Sequence, residues 1–511
     1  MSTVSQTTTC LLEAKKLPYV TLDTGLSDEV IKYQPFDGMP NLEDVQMYNK
    51  GGYHPVHIGD ILDGRFEVVH KLGSGSFGIV WLCRDINLKR WRAVKIKTAD
   101  QSSNGTEEKI FDYLREQYAP EELEEKHISI PLEQFWLKGP NGHHSCFVMP
   151  VLGWSISNWR LSQKDYESQT NVNARNVCRQ ITESMHFLHR NGICHGDFKP
   201  GNILMKIEGI DDLDVDQLLE IMGEPECAYV ETISGQPLTP SAPEYCVIPP
   251  DEFWCEKLTT NSIAIVDFGE SFFVQDPPRS TGIPNLYAAP EVMFQGTGIL
   301  GFHSDLWALA CTLYEVRTGS PLFKDFYGSD LSNTVRQIES YLGPLPQKYR
   351  TTYVEMLRGI PGASGLGISN PTSQSDNPTT PSKRGSRPGT PDSNKSTKSN
   401  TDTFEATLGR ERKRYKRIIP GQQPEPIKYR YPKEDVLGLA DLLRKLIKYD
   451  PAERINTEAV MSHPWISGNG MGTTRKCTRN GNISARKIMM VSSAVVVSFV
   501  GVLVLVRRLR D

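Results

Sequence analysis

Three glycines, Gly73, Gly75 and Gly78, sit between two runs of β-type residues in RFEVVHKLGSGSFGIVWLCRD. The same G-x-G-x-x-G spacing opens dinucleotide-binding folds, but there it leads from a strand into a helix. Here Ile79, Val80 and Trp81 start a second strand. A strand–turn–strand whose backbone lacks Cβ atoms can fold over phosphates as a lid. An ordinary hairpin turn is the plainer alternative. The pattern predicts three short strands, Phe66–Lys71, Ile79–Arg84 and Trp91–Ile96.

Further along the chain, other residue types supply what a phosphate lid needs. Ala93-Val94-Lys95 falls on the third strand, where a cleft-facing lysine neutralises α- and β-phosphate charge. Such a lysine is held by a carboxylate on the next helix. Ile110, Phe111 and Leu114 mark that helix's buried face, so Glu107 fits best and Glu108 is the alternative; Thr106 is the expected N-cap. In His195-Gly-Asp-Phe-Lys-Pro-Gly-Asn202, an Asp and an Asn five apart flank a Lys on a loop after a helix. Asp197 suits proton acceptance from a hydroxyl, Lys199 stabilisation of transferring negative charge, and Asn202 a hard cation. Ile263-Ala-Ile-Val-Asp267-Phe-Gly269 delivers a second acidic metal ligand at the end of an apolar strand. Tyr287-Ala-Ala289-Pro-Glu291 and HSDLWALACTLYE follow, and Glu291 is expected to pair with Arg454 of DPAERI.

Taken in this order, the motifs from about Glu43 to Trp465 resemble eukaryotic protein kinases, and more narrowly the fungal SR-protein kinases. The narrower resemblance rests on EDVQMYNKGGYHPVHIGDILDGRFEVVHKLGSGSFGIVWL, on MPVLGWSISNW, and on the long insertion between Asn202 and Asp267 with its GEPE segment. It implies an α+β, bilobal protein-kinase fold, with a β-rich N-lobe at 61–153 and a helical C-lobe at 154–467. The C-lobe would hold an acidic insertion at 207–260 and a disordered one at 362–403. An irregular arm at 1–60 precedes the lobes. The implied activity is transfer of the ATP γ-phosphate to serine or threonine of basic, often Arg/Ser-rich proteins, with Mg²⁺ at Asn202 and Asp267. Leu72, Gly73, Gly75, Gly78, Val80, Ala93, Lys95, Glu107, Leu152, Leu204 and Asp267 form the implied ATP site. Asp211, Asp212, Asp214, Asp216 and Glu220 are candidates for an acidic substrate groove, or form a solvated acidic loop. A catalytically weak scaffold is the second reading, and a small-molecule or lipid kinase fits poorly with the Ala-Pro-Glu motif.

Three positions depart from the family pattern. Gly196 replaces the arginine that precedes the catalytic Asp in kinases switched on by loop phosphorylation, which predicts activity without that modification. Pro284 and Ala288 stand where a threonine and an arginine are usual and bear on peptide preference.

Composition sets the outer bounds. With 38% hydrophobic residues among 511, a uniformly disordered chain is excluded; 57 basic against 61 acidic residues exclude a wholly basic nucleic-acid platform. A monomer without direct nucleic-acid binding is expected. Ten scattered cysteines without a C-x-x-C pair predict reduced thiols. Ile488–Val506 is an uncharged run of 19 residues flanked by Arg486, Lys487, Arg507, Arg508 and Arg510. A helix there would reach about 28 Å and reads as a C-terminal transmembrane anchor behind a linker at 468–487. The catalytic part would then face the cytosol; without the tail, a nuclear or cytoplasmic location is expected. Thr380-Pro381 and Thr390-Pro391 fit proline-directed phosphosites or idle linker, and the basic run 410–417 fits an import signal, an RNA or acidic-lipid contact, or a solvated helix face.

Overall fold

The computed structural model describes residues 32–36, 42–103, 105–163, 168–251, 254–294, 300–324, 331–358, 403–415 and 426–468. The chain divides into two units, Met1–Asn469 and Gly470–Asp511, and the second lies outside the described residues.

Alternating apolar residues build a six-stranded antiparallel sheet from β1 (Ile61–Leu62), β2 (Phe66–Gly75), β3 (Gly78–Asp85), β4 (Arg90–Lys97), β5 (Glu133–Gly139) and β6 (Gly142–Met149), in the order β1-β2-β3-β4-β6-β5. The strands β2 and β3 run into the glycine-rich turn itself, pairing Gly75 with Gly78. Gly78 is obligatory there: at φ 153° a Cβ would lie 2.2 Å from the Ile96 carbonyl oxygen of the neighbouring strand. The helix Thr106–Gln117 buries Ile110, Phe111 and Leu114 against the sheet side, with Gly105 rather than Thr106 at its N-cap.

The C-lobe is mainly helical. Ser168–Arg190 ends before Gly192, which adopts a left-handed conformation (φ 73°) that stops the helix. Phe302–Thr318 is buried along nearly its whole length, and Lys433–Leu446 packs an apolar stripe. Glu291 and Arg454 form the expected buried pair, with Nη2 2.8 Å from Oε2. The described part of the basic run is a strand, Arg412–Tyr415, paired antiparallel with Pro426–Tyr429, so a solvated helix face is ruled out there. Cys83, Cys146, Cys178, Cys194, Cys246, Cys255 and Cys311 are buried free thiols.

Two expectations are corrected. The fold is bilobal as expected, but the described residues hold no transmembrane helix. Among the described residues no helix is long and apolar enough to cross a membrane. Ser168–Arg190 has the length yet carries Arg175, Arg179, Glu183 and Arg190; the run 488–506 lies outside the described residues. So does the stretch 362–402, with both Thr-Pro pairs.

The second correction concerns the insertion at 207–260, which the sequence assigns to the C-lobe. Its middle returns to the N-lobe. Val230, Ala242, Cys246 and Val247 share one core cluster with Val68, Trp81, Val94 and Val148 of the sheet and with Tyr33, Val45 and Tyr48 of the arm. Apolar residues on the sheet's outer face need a cover, and arm and insertion supply it jointly.

Candidate active site

The sheet and the helical lobe face each other across a cavity of about 750 Å³. Leu72, Gly73, Gly75, Gly78, Val80, Ala93, Lys95, Glu107, Leu152, Leu204 and Asp267 all line it, as do Asp197, Lys199 and Asn202. Every residue proposed from the sequence for nucleotide, metal or proton transfer therefore borders one space. Gly73 and Gly75 leave open room where a Cβ would project, which suits the close approach of phosphate oxygens.

Across the cleft, Lys95 Nζ lies 2.8 Å from Asp267 Oδ1. Burial works against the lysine's charge, but Asp267 and then Glu107 outweigh it and hold its pKa above the usual lysine range. Burial likewise opposes the Asp267 carboxylate, and Lys95 reverses the balance, keeping that carboxyl below its ordinary value. Asp267 sits at φ 62°, a left-handed conformation costly for a non-glycine residue and concentrated at functional sites.

The carboxylate expected to hold Lys95 has another partner. Glu107 Oε2 is 3.2 Å from Lys97 Nζ, and Glu108 Oε1 is 3.6 Å from the same nitrogen. Lys95 and Lys97 alternate with Val94 and Ile96 on β4 and so project from the same face of the strand. Lys97 is the one nearer the start of helix Thr106–Gln117 and takes its acids. Glu107 still faces the cleft and acts on Lys95 through its charge.

The loop carrying Asp197 is fixed from several sides. Lys199 Nζ donates to Asp197 Oδ2, and Asn202 Nδ2 donates to both the carbonyl and Oδ2 of Asp197 at 2.9 Å. The other carboxylate oxygen, Oδ1, is buried with no partner among the described residues. An unpartnered buried carboxylate oxygen carries a desolvation cost that a substrate hydroxyl or a cation relieves. Asn202 and Asp267 carry side-chain oxygens of the kind that Mg²⁺ takes alongside phosphate oxygens.

Sequence reading missed Asp305. Only 2% exposed, it accepts hydrogen bonds from the amides of His195 (2.8 Å) and Gly196 (3.1 Å) and faces His189 Nε2 at 3.1 Å. An acid opening a helix that is otherwise buried was the available signal. Glu315 was missed too. It accepts the Tyr287 hydroxyl at 2.7 Å and Ser157 Oγ at 3.0 Å, and burial raises its pKa. Leu42, Pro249, Pro250 and Trp254, from the arm and the insertion, line the same cavity and carry no motif of their own.

Residues 66–218 and 250–466 match the model of the protein kinase domain. The chain belongs to the protein kinase family. The gap in that match contains the stretch of insertion that packs on the N-lobe sheet. Among curated relatives, this kinase is 37% identical over 167 residues to SRSF protein kinase 3 of Homo sapiens, covering 32% of this chain and 29% of that one. It is 36% identical over 171 residues to protein kinase dsk1 of Schizosaccharomyces pombe, covering 32% and 31%. With serine/threonine-protein kinase SRPK of Physarum polycephalum the identity is 26% over 450 residues, covering 83% of this chain and 91% of the relative. The match to the human relative thus spans under a third of that protein's length. The resemblance to SR-protein kinases noted in the motifs is supported by the names of the human and Physarum relatives.

Proposed function

We propose that this kinase transfers the γ-phosphate of ATP to serine or threonine in basic, Arg/Ser-rich proteins and needs no phosphorylation of its activation segment. The observation that carries the reading is the convergence of Lys95, Asp197, Lys199, Asn202 and Asp267 on one cleft, with Lys95 and Asp267 in contact and Asp197 Oδ1 without a partner among the described residues. Lys95 binds phosphate oxygens, and Asp267 and Asn202 would hold Mg²⁺. The ion, when bound, neutralises charge on the phosphates. Asp197 orients the incoming hydroxyl and accepts its proton at Oδ1, while Lys199 lies beside it to offset negative charge on the transferring group. Pro200 after Lys199 suits Ser/Thr rather than Tyr acceptors by resemblance to the family.

The substrate class rests on the names of the relatives and on acidic surface. Two of the five acidic candidates have structural duties: Asp211 Oδ1 accepts the Trp91 amide at 2.7 Å, and Asp214 caps helix Val215–Met222. Asp212, Asp216 and Glu220 are exposed and suit contact with a basic peptide. The deciding experiment is incubation of the unmodified protein with Mg-ATP and a library of basic peptides. Transfer preferring Arg/Ser sequences supports the reading; ATP binding without transfer to any peptide overturns it in favour of a scaffold.

A further inference from the structure

The segment between Asp267 and Glu291 is tied down at both ends. At its start, Phe272–Phe273 pairs with Ile193–Cys194, and Ser271 Oγ donates to the His195 carbonyl at 2.8 Å. At its end, the Tyr287 hydroxyl reaches Glu315. Between them, residues 276–280 are exposed and Gly282 lies on the surface. This middle stretch is drawn back by one contact from an unexpected source: Gly282 N donates to Glu270 Oε2 at 2.9 Å.

Glu270 reaches this position because of Gly196. A Cβ on Gly196 would lie 2.1 Å from the Glu270 carbonyl oxygen and 3.4 Å from its Cβ, and Gly196 is itself left-handed at φ 76°. Where loop-activated kinases place an arginine to grip a phosphate, this chain has no side chain at all. The vacated space admits the backbone of Glu270, whose carboxylate then holds the segment by an amide. One contact replaces the other: a carboxylate on a neutral N–H in place of a cation on a phosphate.

We propose that Glu270 is a positioning residue that latches the activation segment through Gly282, and that Gly196 is the glycine that makes room for it. The inference deepens the proposed independence from loop phosphorylation and rests on that reading. It predicts that the latch, not a modification, sets the platform on which a protein substrate lies.

The test uses the unmodified full chain as wild type, Glu270→Ala, Glu270→Gln and Gly282→Pro. Glu270→Gln keeps an acceptor oxygen, whereas Gly282→Pro removes the donor and sets a Cβ 2.9 Å from Glu270 Oε1, breaking the same contact from the other side. Arg279 is exposed three residues before Gly282, so tryptic cleavage after it reports release of the segment independently of catalysis. Expected are roughly tenfold faster cleavage and a matching rise in peptide KM for Glu270→Ala and Gly282→Pro, with Glu270→Gln near wild type and ADP affinity unchanged in all. Should Glu270→Ala fail to fold by its thermal midpoint, Gly282→Pro decides alone. Cleavage at the wild-type rate in the folded variants overturns the latch. A wild type that transfers no phosphate, while its variants are cut faster, defeats the phosphotransfer reading and leaves the latch standing.

Discussion

Lys95 Nζ and Asp267 Oδ1, 172 positions apart in the chain, meet at 2.8 Å across the cleft between the two lobes. Each keeps the other charged against burial that disfavours both ions. Lys95→Met should therefore do two things. Transfer from Mg-ATP to a peptide should fall by about a hundredfold or more. The thermal midpoint should drop by only a few degrees, roughly what the loss of one partly exposed ion pair removes. Turnover like that of the wild type would refute the role given to Lys95.

Asp197 is held by Asn202 and Lys199 through Oδ2, leaving Oδ1 as the atom proposed to meet a substrate hydroxyl. Asp197→Asn preserves size and loses the basic oxygen. Steady-state turnover is expected to fall roughly a hundred- to ten-thousand-fold, with nucleotide affinity little changed. A parallel loss of nucleotide binding would move Asp197 from proton transfer to ligand binding.

Lys71 and Glu43 join sheet and arm with side chains that are 0% exposed, and Tyr48 also donates to Glu43 at 2.8 Å. Glu43→Ala leaves a buried ammonium without its counter-ion, and urea unfolding should register a loss of about 3–5 kcal/mol. Pairing it with Lys71→Met should restore much of that stability. A double variant no more stable than Glu43→Ala would show that the arm contributes through its apolar contacts alone.

His54 packs edge-on against His144 at 4.9 Å between ring centres, and burial, with a smaller push from His144 against a pull from Asp60, brings its pKa down to about 4. The unfolded chain holds its proton up to about 6.5 and so binds more protons in the window between these values. His54 should consequently contribute stability that rises with pH from about 4 to 6.5 and levels off above, by at most about 3 kcal/mol. Urea midpoints measured across this range should show the slope, and His54→Asn should reduce it, with His70, His144, His186 and His303, all lowered by burial, supplying the rest. An unchanged slope would assign it to other groups.

The cleft residues were legible because each motif is local: a turn needing glycines, a lysine on a strand, an Asp and Asn five apart on one loop. The buried Glu291–Arg454 pair was legible for the related reason that both residues lie within recognisable short motifs. The partner of Lys95 was not. Alternation puts Lys95 and Lys97 on one strand face, and which of them meets Glu107 depends on how far the helix Thr106–Gln117 is shifted along that strand. The role of Asp211 was hidden likewise, since its acceptor duty toward Trp91 depends on where the insertion crosses the β3–β4 hairpin.

By itself the order of short motifs determined the lobes, the cleft and the residue types within it, because turn geometry, strand alternation and phosphate chemistry act over a few neighbouring positions. Only the tertiary structure decided that the insertion and arm cover the N-lobe sheet and that Glu270 reaches Gly282 past a bare Gly196. These contacts arise where apolar surfaces from distant segments are buried together and where a missing side chain lets two backbones approach, and neither leaves a periodic mark in the chain.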